Sequence, residues 1–600
     1  MPNIMWRFVK TGRRTLGPLG FAVVIVFVGI VAGLGAVVFR GLIGLVHNLI
    51  FLGRLSFAYD ANLHTPASPW GVLVILVPVV GAVAVTFLVT KFAPEAKGHG
   101  VPEVMDAIYY GHGVIRPVVG LIKSLASSLS IGTGGSVGRE GPIIQIGASF
   151  GSAIGQAVDA PLWQTSTLIA AGAAGGIAAT FNTPVGGILF AVELVMREIS
   201  ARTLTAVAIA TATATYIGRI FLGDHPSFVI PSIEQSYFHL TTFPILVSYV
   251  GLGLLAGLAS VLFIKSLYGF ENFFENRVGG GPYFRHCLGM LAVGVAMYLL
   301  LETRGHYFIE GVGYSTVQDI LNGGLASIVM LLALFALKLG ATSLTLGSGA
   351  SGGIFSPSLF MGATLGGAYG LALKAIFPGL GFVPPAFAVA GMAGVVGGST
   401  GAAVAAIVMI FEMTMDYKVI IPMTITVAIS YGLRKLLVSP SIYTMKLVRR
   451  GHNMPEALMA GLHFVRRASE VMATNLAFLP ASTTVAEFLR DEVKFRGVSY
   501  FLLEKEGALT GLVDRDAVRR GADCLGGEAA LEKLPARSFA VVPPDMVLSE
   551  IIARMRDARV STAVVARSAG EKVCRDDVLG IIGARQIVED IEREAEPFLD

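Results

Sequence analysis

Three glycine-rich turns hold the residues best placed to do chemistry: GHGVPE at 98–103, GREGP at 138–142 and GSGASGGIFSP at 347–357. In each, glycine is followed by proline and by an apolar run that reads as a helix. Proline suits the first helical turn, where its missing N–H is not needed, and glycine lets backbone come close to a bound ion. A helix N-terminus offers free N–H groups and roughly half a positive charge. Several such ends aimed at one point would bind an anion with no lysine or arginine in contact, which favours quick release. Glu140, inside the second turn, reads by position as a cap on its own helix start. By side chain alone, Ile354 and Phe355 read as apolar packing, and Tyr443, in SPSIYTM, as an interfacial tyrosine.

The elements that must position these turns are those of a membrane body. Of 600 residues, 54% are hydrophobic and 14% charged, against roughly 25% charged in a soluble domain. The division is uneven: 42 of the 86 charged residues lie in 466–600. The first part is therefore a lipid-solvated body and the last a soluble appendage. Apolar stretches recur at 17–50, 71–94, 115–132, 143–158, 163–180, 184–197, 204–222, 243–269, 287–302, 323–346, 358–377, 385–398, 401–415 and 419–437. Several fall short of the roughly 20 residues that span a bilayer. Broken helices at membrane depth survive only where they line a cavity or are buried in protein. The first stretch is too long for a signal-peptide core and reads as a retained, tilted helix. Basic residues flank both ends (Arg13, Arg14, Arg434, Lys435, Arg449, Arg450, Arg466, Arg467), which marks both termini as cytoplasmic. A net charge of +4 makes no case for nucleic acid, and Cys287, Cys524 and Cys574 have neither metal-ligand nor disulfide spacing. The ten histidines are scattered, so no metal site is expected.

The body contains a repeat. PIIQIGASFGSAIG, 142–155, matches PSLFMGATLGGAYG, 357–370, at an offset of 215; VGGILFAVE, ending at Glu193, parallels VAAIVMIFE, ending at Glu412, at an offset of 219. Two blocks in the same order point to duplicated halves with a site between them near the midplane, as in transporters and channels. Beyond Arg467 the pattern becomes α/β. TTVAEFLR (483–490) starts a helix, and VSYFLL (498–503) and LTGLV (509–513) read as strands. The order recurs in VLSEIIARM (547–555), VSTAVVA (560–566) and VLGII (578–582), with a helix to about 593. Each unit is marginal alone, so a packed pair is expected.

GREGP and GGIFSP, in this order and separation, are similar to signature motifs of the CLC family of chloride channels and transporters; GHGVPE looks like its first motif, and PVGGILFAVE and EMTMDY fit it too. The resemblance covers roughly 17–449, and the C-terminal pair looks like that family's tandem CBS domain. It implies a homodimeric, all-α polytopic body of two inverted repeats, with a small soluble α/β pair. It also implies that Glu140 is a gating glutamate, that Gly353 and the backbone N–H groups of Ile354 and Phe355 meet the central anion, and that Tyr443 donates its hydroxyl to it. His99 stands where the family commonly has serine; an imidazole N–H could take that role, or the ring could turn aside. Leu194 stands where proton-coupled members place an inner glutamate, and Glu193 beside it aligns with a different family position. The CBS pair departs from the nucleotide-binding pattern at Gly583 and Gln586, and in the first copy, Gly511-Leu-Val-Asp514-Arg-Asp516, the spacing from Gly511 to Asp516 is one residue short; a structural or dimer-coupling role stands beside adenine-nucleotide sensing.

The chain is therefore expected to comprise a cytoplasmic segment 1–16, a transmembrane anion-transport domain 17–449, a linker 450–467, and CBS domains over 468–600 (about 468–523 and 537–595). It should carry chloride or a related anion across the lipid bilayer of the cell membrane, as a channel gated by protonation of Glu140. No cofactor is needed and no enzyme activity is expected, since no nucleophile–base set is evident. Proton-coupled chloride antiport is the alternative. A CBS-regulated magnesium transporter is more distant, because a hard cation needs acidic or carbonyl-rich membrane sites.

Overall fold

The computed structural model describes residues 15–196, 200–229, 243–452 and, with short breaks, 466–587. The helix expected toward 593 and most of the expected linker lie outside the described residues. The chain divides into two compact units, 1–454 and 455–600.

The first unit is helical. Its α-helices are α1 Pro18–Val46, α2 Val77–Phe92, α3 Val101–Tyr109, α4 Pro117–Gly132, α5 Glu140–Ala157, α6 Leu162–Phe181, α7 Pro184–Phe190, α8 Ala201–Leu222, α9 Phe243–Asn276, α10 Pro282–Arg304, α11 Tyr314–Leu321, α12 Ile328–Ser348, α13 Phe355–Ile376, α14 Pro384–Thr400, α15 Ala403–Thr414, α16 Ile420–Leu437 and α17 Thr444–Arg449. Proline opens α1, α4, α7, α10 and α14, where its ring is preset for the helix and no N–H is lost. Ser200 and Ser327 cap α8 and α12 by accepting the N–H groups of Thr203 and Met330. Among the described residues, eight helices are long and apolar enough to cross a membrane. Leu19, Val23, Phe27 and Val38 of α1 are exposed, a surface suited to lipid rather than water.

The duplication is visible in packing. Where α5 crosses α6, a Cβ on Gly147 would stand 2.1 Å from Gly172 O, and one on Gly172 2.2 Å from Gly147 O. At the matching α13–α14 crossing, a Cβ on Gly362 or Gly391 would stand 2.3 Å from the carbonyl oxygen of the other. Only glycine lets backbones come this near, and close approach is what holds helices together without a hydrophobic drive. The halves also cap each other. Glu193 accepts the N–H groups of Val404 and Ala405 at the start of α15, at 3.3 and 2.8 Å. Glu412 accepts those of Val185 and Gly186 at the start of α7, at 3.1 and 2.7 Å. Each carboxylate satisfies orphan donors and meets the positive end of a helix. The body is a pair of inverted repeats.

The second unit holds two three-stranded mixed sheets. β1 Ala477–Pro480 runs parallel to β2 Tyr500–Lys505, which pairs antiparallel with β3 Ala508–Asp514. β4 Ala540–Val542, β5 Thr562–Ala566 and β6 Val578–Gly583 repeat the pattern. Helices α19 Val485–Arg490 and α20 Leu548–Asp557 follow β1 and β4, after a single turn α18 Ala468–Val471. Leu502, Leu512, Val564 and Ile581 form one buried cluster joining the sheets, so neither copy stands alone. This architecture fits a CBS pair. The short strands β1 and β4 were not expected from sequence: three or four residues leave no readable period.

Candidate anion site

The three turns meet. Gly98 N–H bonds Ala350 O at 2.9 Å and Gly352 N–H bonds Gly98 O at 3.2 Å; Gly138 and Gly353 exchange N–H···O bonds of 2.7 and 2.6 Å. These bridges set the starts of α3, α5 and α13 side by side. A Cβ on Gly353 would stand 2.8 Å from Gly141 N, and one on Gly141 2.1 Å from His99 O. Because the Gly353 N–H is spent on Gly138, glycine at that position contributes close approach rather than a donor.

Glu140 is 1% exposed, yet its carboxylate does not cap α5. It reaches across to α13, where the Ser356 N–H donates to Oε2 at 3.3 Å and the Ser356 hydroxyl bonds Oε1. The Tyr314 hydroxyl, from α11, donates to Oε1 at 2.7 Å. A carboxylate thus lies on the free N–H end of a helix, the place an anion would take. The Arg139 guanidinium lies 5.2 Å from the Phe181 ring centroid and 5.4 Å from that of Tyr314, which puts a cation near the carboxylate.

Ile354 and Phe355, both buried, begin α13, where N–H groups lack intrahelical partners. Tyr443 is 1% exposed, near enough to Glu140 to be influenced by its charge. Its ring centroid is 5.8 Å from that of His99. His99 is 4% exposed, and its Nδ1 is buried without a hydrogen-bond partner. A polar nitrogen in that state costs free energy unless something comes to meet it. The sequence-derived set of Glu140, His99, Gly353, Ile354, Phe355 and Tyr443 is therefore gathered at the N-terminal ends of the half-helices.

Leu194 is 1% exposed and lies in a π-helical turn, Ala191–Met196, that continues α7. The wider turn is a departure from the regular helix expected there. Glu193, in the same turn, is committed to capping α15 and does not stand in for an acid at 194.

Four residues escaped the sequence analysis. Tyr314 and Ser356 hold Glu140. Lys123 and Lys338 are both fully buried; Lys123 Nζ bonds Ala96 O and Gly98 O at 3.0 and 2.6 Å, and Lys338 Nζ bonds Ile309 O and Gly311 O at 3.0 and 2.8 Å. The lysines are 215 positions apart, the offset of the first repeat block, and each braces a Gly-x-Gly turn, 98–100 or 311–313. That coincidence was the available signal.

The family model described as "Voltage gated chloride channel" matches residues 81–435. A putative chloride channel protein ClcB-like from Ralstonia nicotianae is 33% identical over 387 residues, covering 64% of this chain and 87% of its own length. An H(+)/Cl(-) exchange transporter ClcA from Cronobacter sakazakii is 32% identical over 445 residues, 73% of this chain and 91% of that protein. Among solved structures, a slow cyanobacterial Cl-/H+ antiporter superposes with a TM-score of 0.62 at 24% identity, over 73% of this chain and 99% of that one. A eukaryotic CLC transporter does so with 0.59 at 19% identity, over 95% of this chain and 98% of that one. By its family match, its inverted repeats and its gathered half-helix ends, the chain belongs to the CLC, or voltage gated chloride channel, family of multi-pass membrane anion-transport proteins.

Proposed function

We propose that this protein exchanges chloride for protons across the cell membrane, with both termini cytoplasmic and two copies forming a dimer. The observation that carries the reading is the Glu140 carboxylate lying on the start of α13. While ionised it occupies donors that chloride would use; once protonated it is a poorer acceptor there and yields to the anion. One group thereby takes part in both chloride and proton movement, which is the requirement for coupling. Relatives at 32–33% identity carry the name H(+)/Cl(-) exchange transporter, and this weighs for exchange over the channel expected from Leu194 alone. The proposed anion contacts are the N–H groups of Ile354 and Phe355, the Tyr443 hydroxyl and the His99 ring.

Channel-type conduction is the second reading, and buried Leu194 is what favours it. Under exchange, the inner half of the proton route runs on water rather than on a side chain at 194, since an apolar face does not relay protons. The soluble pair serves coupling of the two copies rather than nucleotide binding: a Cβ on Gly583 would stand 2.5 Å from the Tyr500 hydroxyl, so that side chain already fills space at the end of β6. Liposomes holding the purified protein, given a chloride gradient at clamped potential, test the main reading: exchange drives protons opposite to chloride flux, and a channel leaves external pH unchanged.

A further inference from the structure

His99 and Tyr443 come from different helices, so the gap between them has to be set by ties between those helices. His99 precedes the Gly100 N-cap of α3, and Tyr443 is the N-cap of α17; their ring centroids are 5.8 Å apart. Each end is anchored from its own side. Gly98 O accepts the Lys123 ammonium at 2.6 Å, and Gly98 is bridged to Ala350 and Gly352. The Ile442 N–H donates to Ser399 O at 2.9 Å, and the Tyr268 hydroxyl of α9 donates to Ile442 O at 2.6 Å. Across the gap the ties are ionic, and Glu103 is their hub. Glu103 is the third residue of α3 and Lys446 the third of α17. Lys446 Nζ lies 2.9 Å from Glu103 Oε1, with the side chains only 16% and 12% exposed. A Cβ on Gly98, beside His99, would stand 3.2 Å from the same ammonium. Arg450 forks onto the carboxylate, donating to Oε2 at 2.9 Å and to Oε1 at 2.7 Å. Farther out, Asp106 lies 3.4 Å from Arg450 Nη1 and 2.6 Å from His452 Nδ1.

We propose that Lys446 is a specificity-determining positioning residue, whose ion pair with Glu103 fixes the gap between His99 and Tyr443 and so the size of anion that the pathway prefers. The inference rests on the reading of His99 and Tyr443 as anion contacts. The pair joins the first turns of the two helices directly behind those contacts, and a mostly buried pair is little screened by salt. The Arg450 fork fixes the Glu103 carboxylate in place, which gives Lys446 a rigid partner. Arg450 itself lies about two turns from Tyr443, so its ties brace the far end of α17 rather than the gap. Cutting the tie at Lys446 leaves Glu103 paired with Arg450 and frees only the near ends. The gap can then open for an anion larger than chloride. Lys446 is not itself a ligand in this account; it acts through Tyr443 and His99.

The test uses the full-length protein in liposomes and reads the chloride-to-nitrate flux ratio beside the thermal midpoint. In Lys446→Met, which keeps the side chain's length and removes its charge, the ratio should fall severalfold, and Lys446→Arg should restore it. Arg450→Gln leaves the Lys446 pair intact; it should lower the thermal midpoint and keep the ratio. An unmoved ratio in Lys446→Met, or one that Lys446→Arg does not restore, would overturn the proposal. So would a ratio that moves as far in Arg450→Gln as in Lys446→Met, since the pair would then be general bracing. His99→Ser and Tyr443→Phe, measured alongside, separate the two readings. If both leave the ratio unchanged, the anion contacts fail and the proposal with them; if either moves it while Lys446→Met does not, the proposal alone falls. Should Lys446→Met not assemble, Lys446→Gln, which can still hydrogen-bond Glu103, must move the ratio in the same direction, and an unmoved ratio counts against Lys446.

Discussion

Tyr314→Phe removes one hydroxyl from a buried ring and leaves the ring's packing nearly unchanged. The lost group donates to Glu140 Oε1 at 2.7 Å and lies 3.1 Å from the Ser356 hydroxyl. A hydrogen bond to a charged group contributes about 1.5–3 kcal/mol. The Ser356 N–H and hydroxyl remain on the carboxylate, so the lower end, about 1.5 kcal/mol, is the better figure. At about 1.4 kcal/mol per factor of ten, the ionised Glu140 should leave the start of α13 roughly tenfold more readily. Chloride flux at neutral external pH should rise, and the external pH of half-maximal flux should move up by about one unit, with maximal flux at acid pH unchanged. Proteoliposome chloride efflux across external pH is the assay. In a Glu140→Gln background the same substitution should do nothing, which separates loss of this contact from general damage. An unmoved midpoint, or an equal effect in both backgrounds, would show that the Tyr314–Glu140 bond does not hold the gate.

Glu140→Gln should remove most of the external-pH dependence of flux, since a neutral amide imitates the protonated acid; full retention of that dependence would exclude the gate. His99→Ser should keep transport and change the chloride-to-nitrate flux ratio severalfold, because a ring with an unpartnered buried nitrogen is exchanged for a hydroxyl; identical ratios would mean that the side chain does not face the ion. A chain ending near Arg467 should still assemble and carry chloride, because every site residue lies upstream; a folded dimer without flux would make the soluble pair part of the transport machine. Gly147→Ala should destabilise the body by roughly 1–3 kcal/mol, since the new methyl meets Gly172 O; a thermal midpoint equal to wild type would mean that the crossing is looser than it looks.

Motifs that act through backbone were legible in sequence. Glycine and proline at helix starts have few other uses in such numbers, so GHGVPE, GREGP and GGIFSP announced their convergence before any geometry was known. The fourteen apolar stretches mapped onto helices with ends shifted by a few residues, and α9 continued to Asn276 because its last turns carry polar residues that a hydropathy reading discards. The start of α3 was read from GHGVPE, but the short helices α11 and α17 were missed for a related reason: eight and six residues of mixed polarity give no apolar run. Side-chain partnerships were not legible. Nothing in YSTVQ or FSPS says that Tyr314 and Ser356 share a carboxylate 174 and 216 positions earlier; tertiary packing alone decides it. Glu193 and Leu194 fall between these cases, since their identities raised the right question and only the cap on α15 told what Glu193 does.

The decisive measurement is the reversal potential of the reconstituted protein under a chloride gradient with and without an opposing pH gradient. Exchange predicts a reversal potential displaced from the chloride equilibrium value, which moves further when external pH is changed and loses that pH sensitivity in Glu140→Gln. Reversal at the chloride equilibrium potential, indifferent to pH, would contradict exchange and leave Glu140 as the gate of a channel.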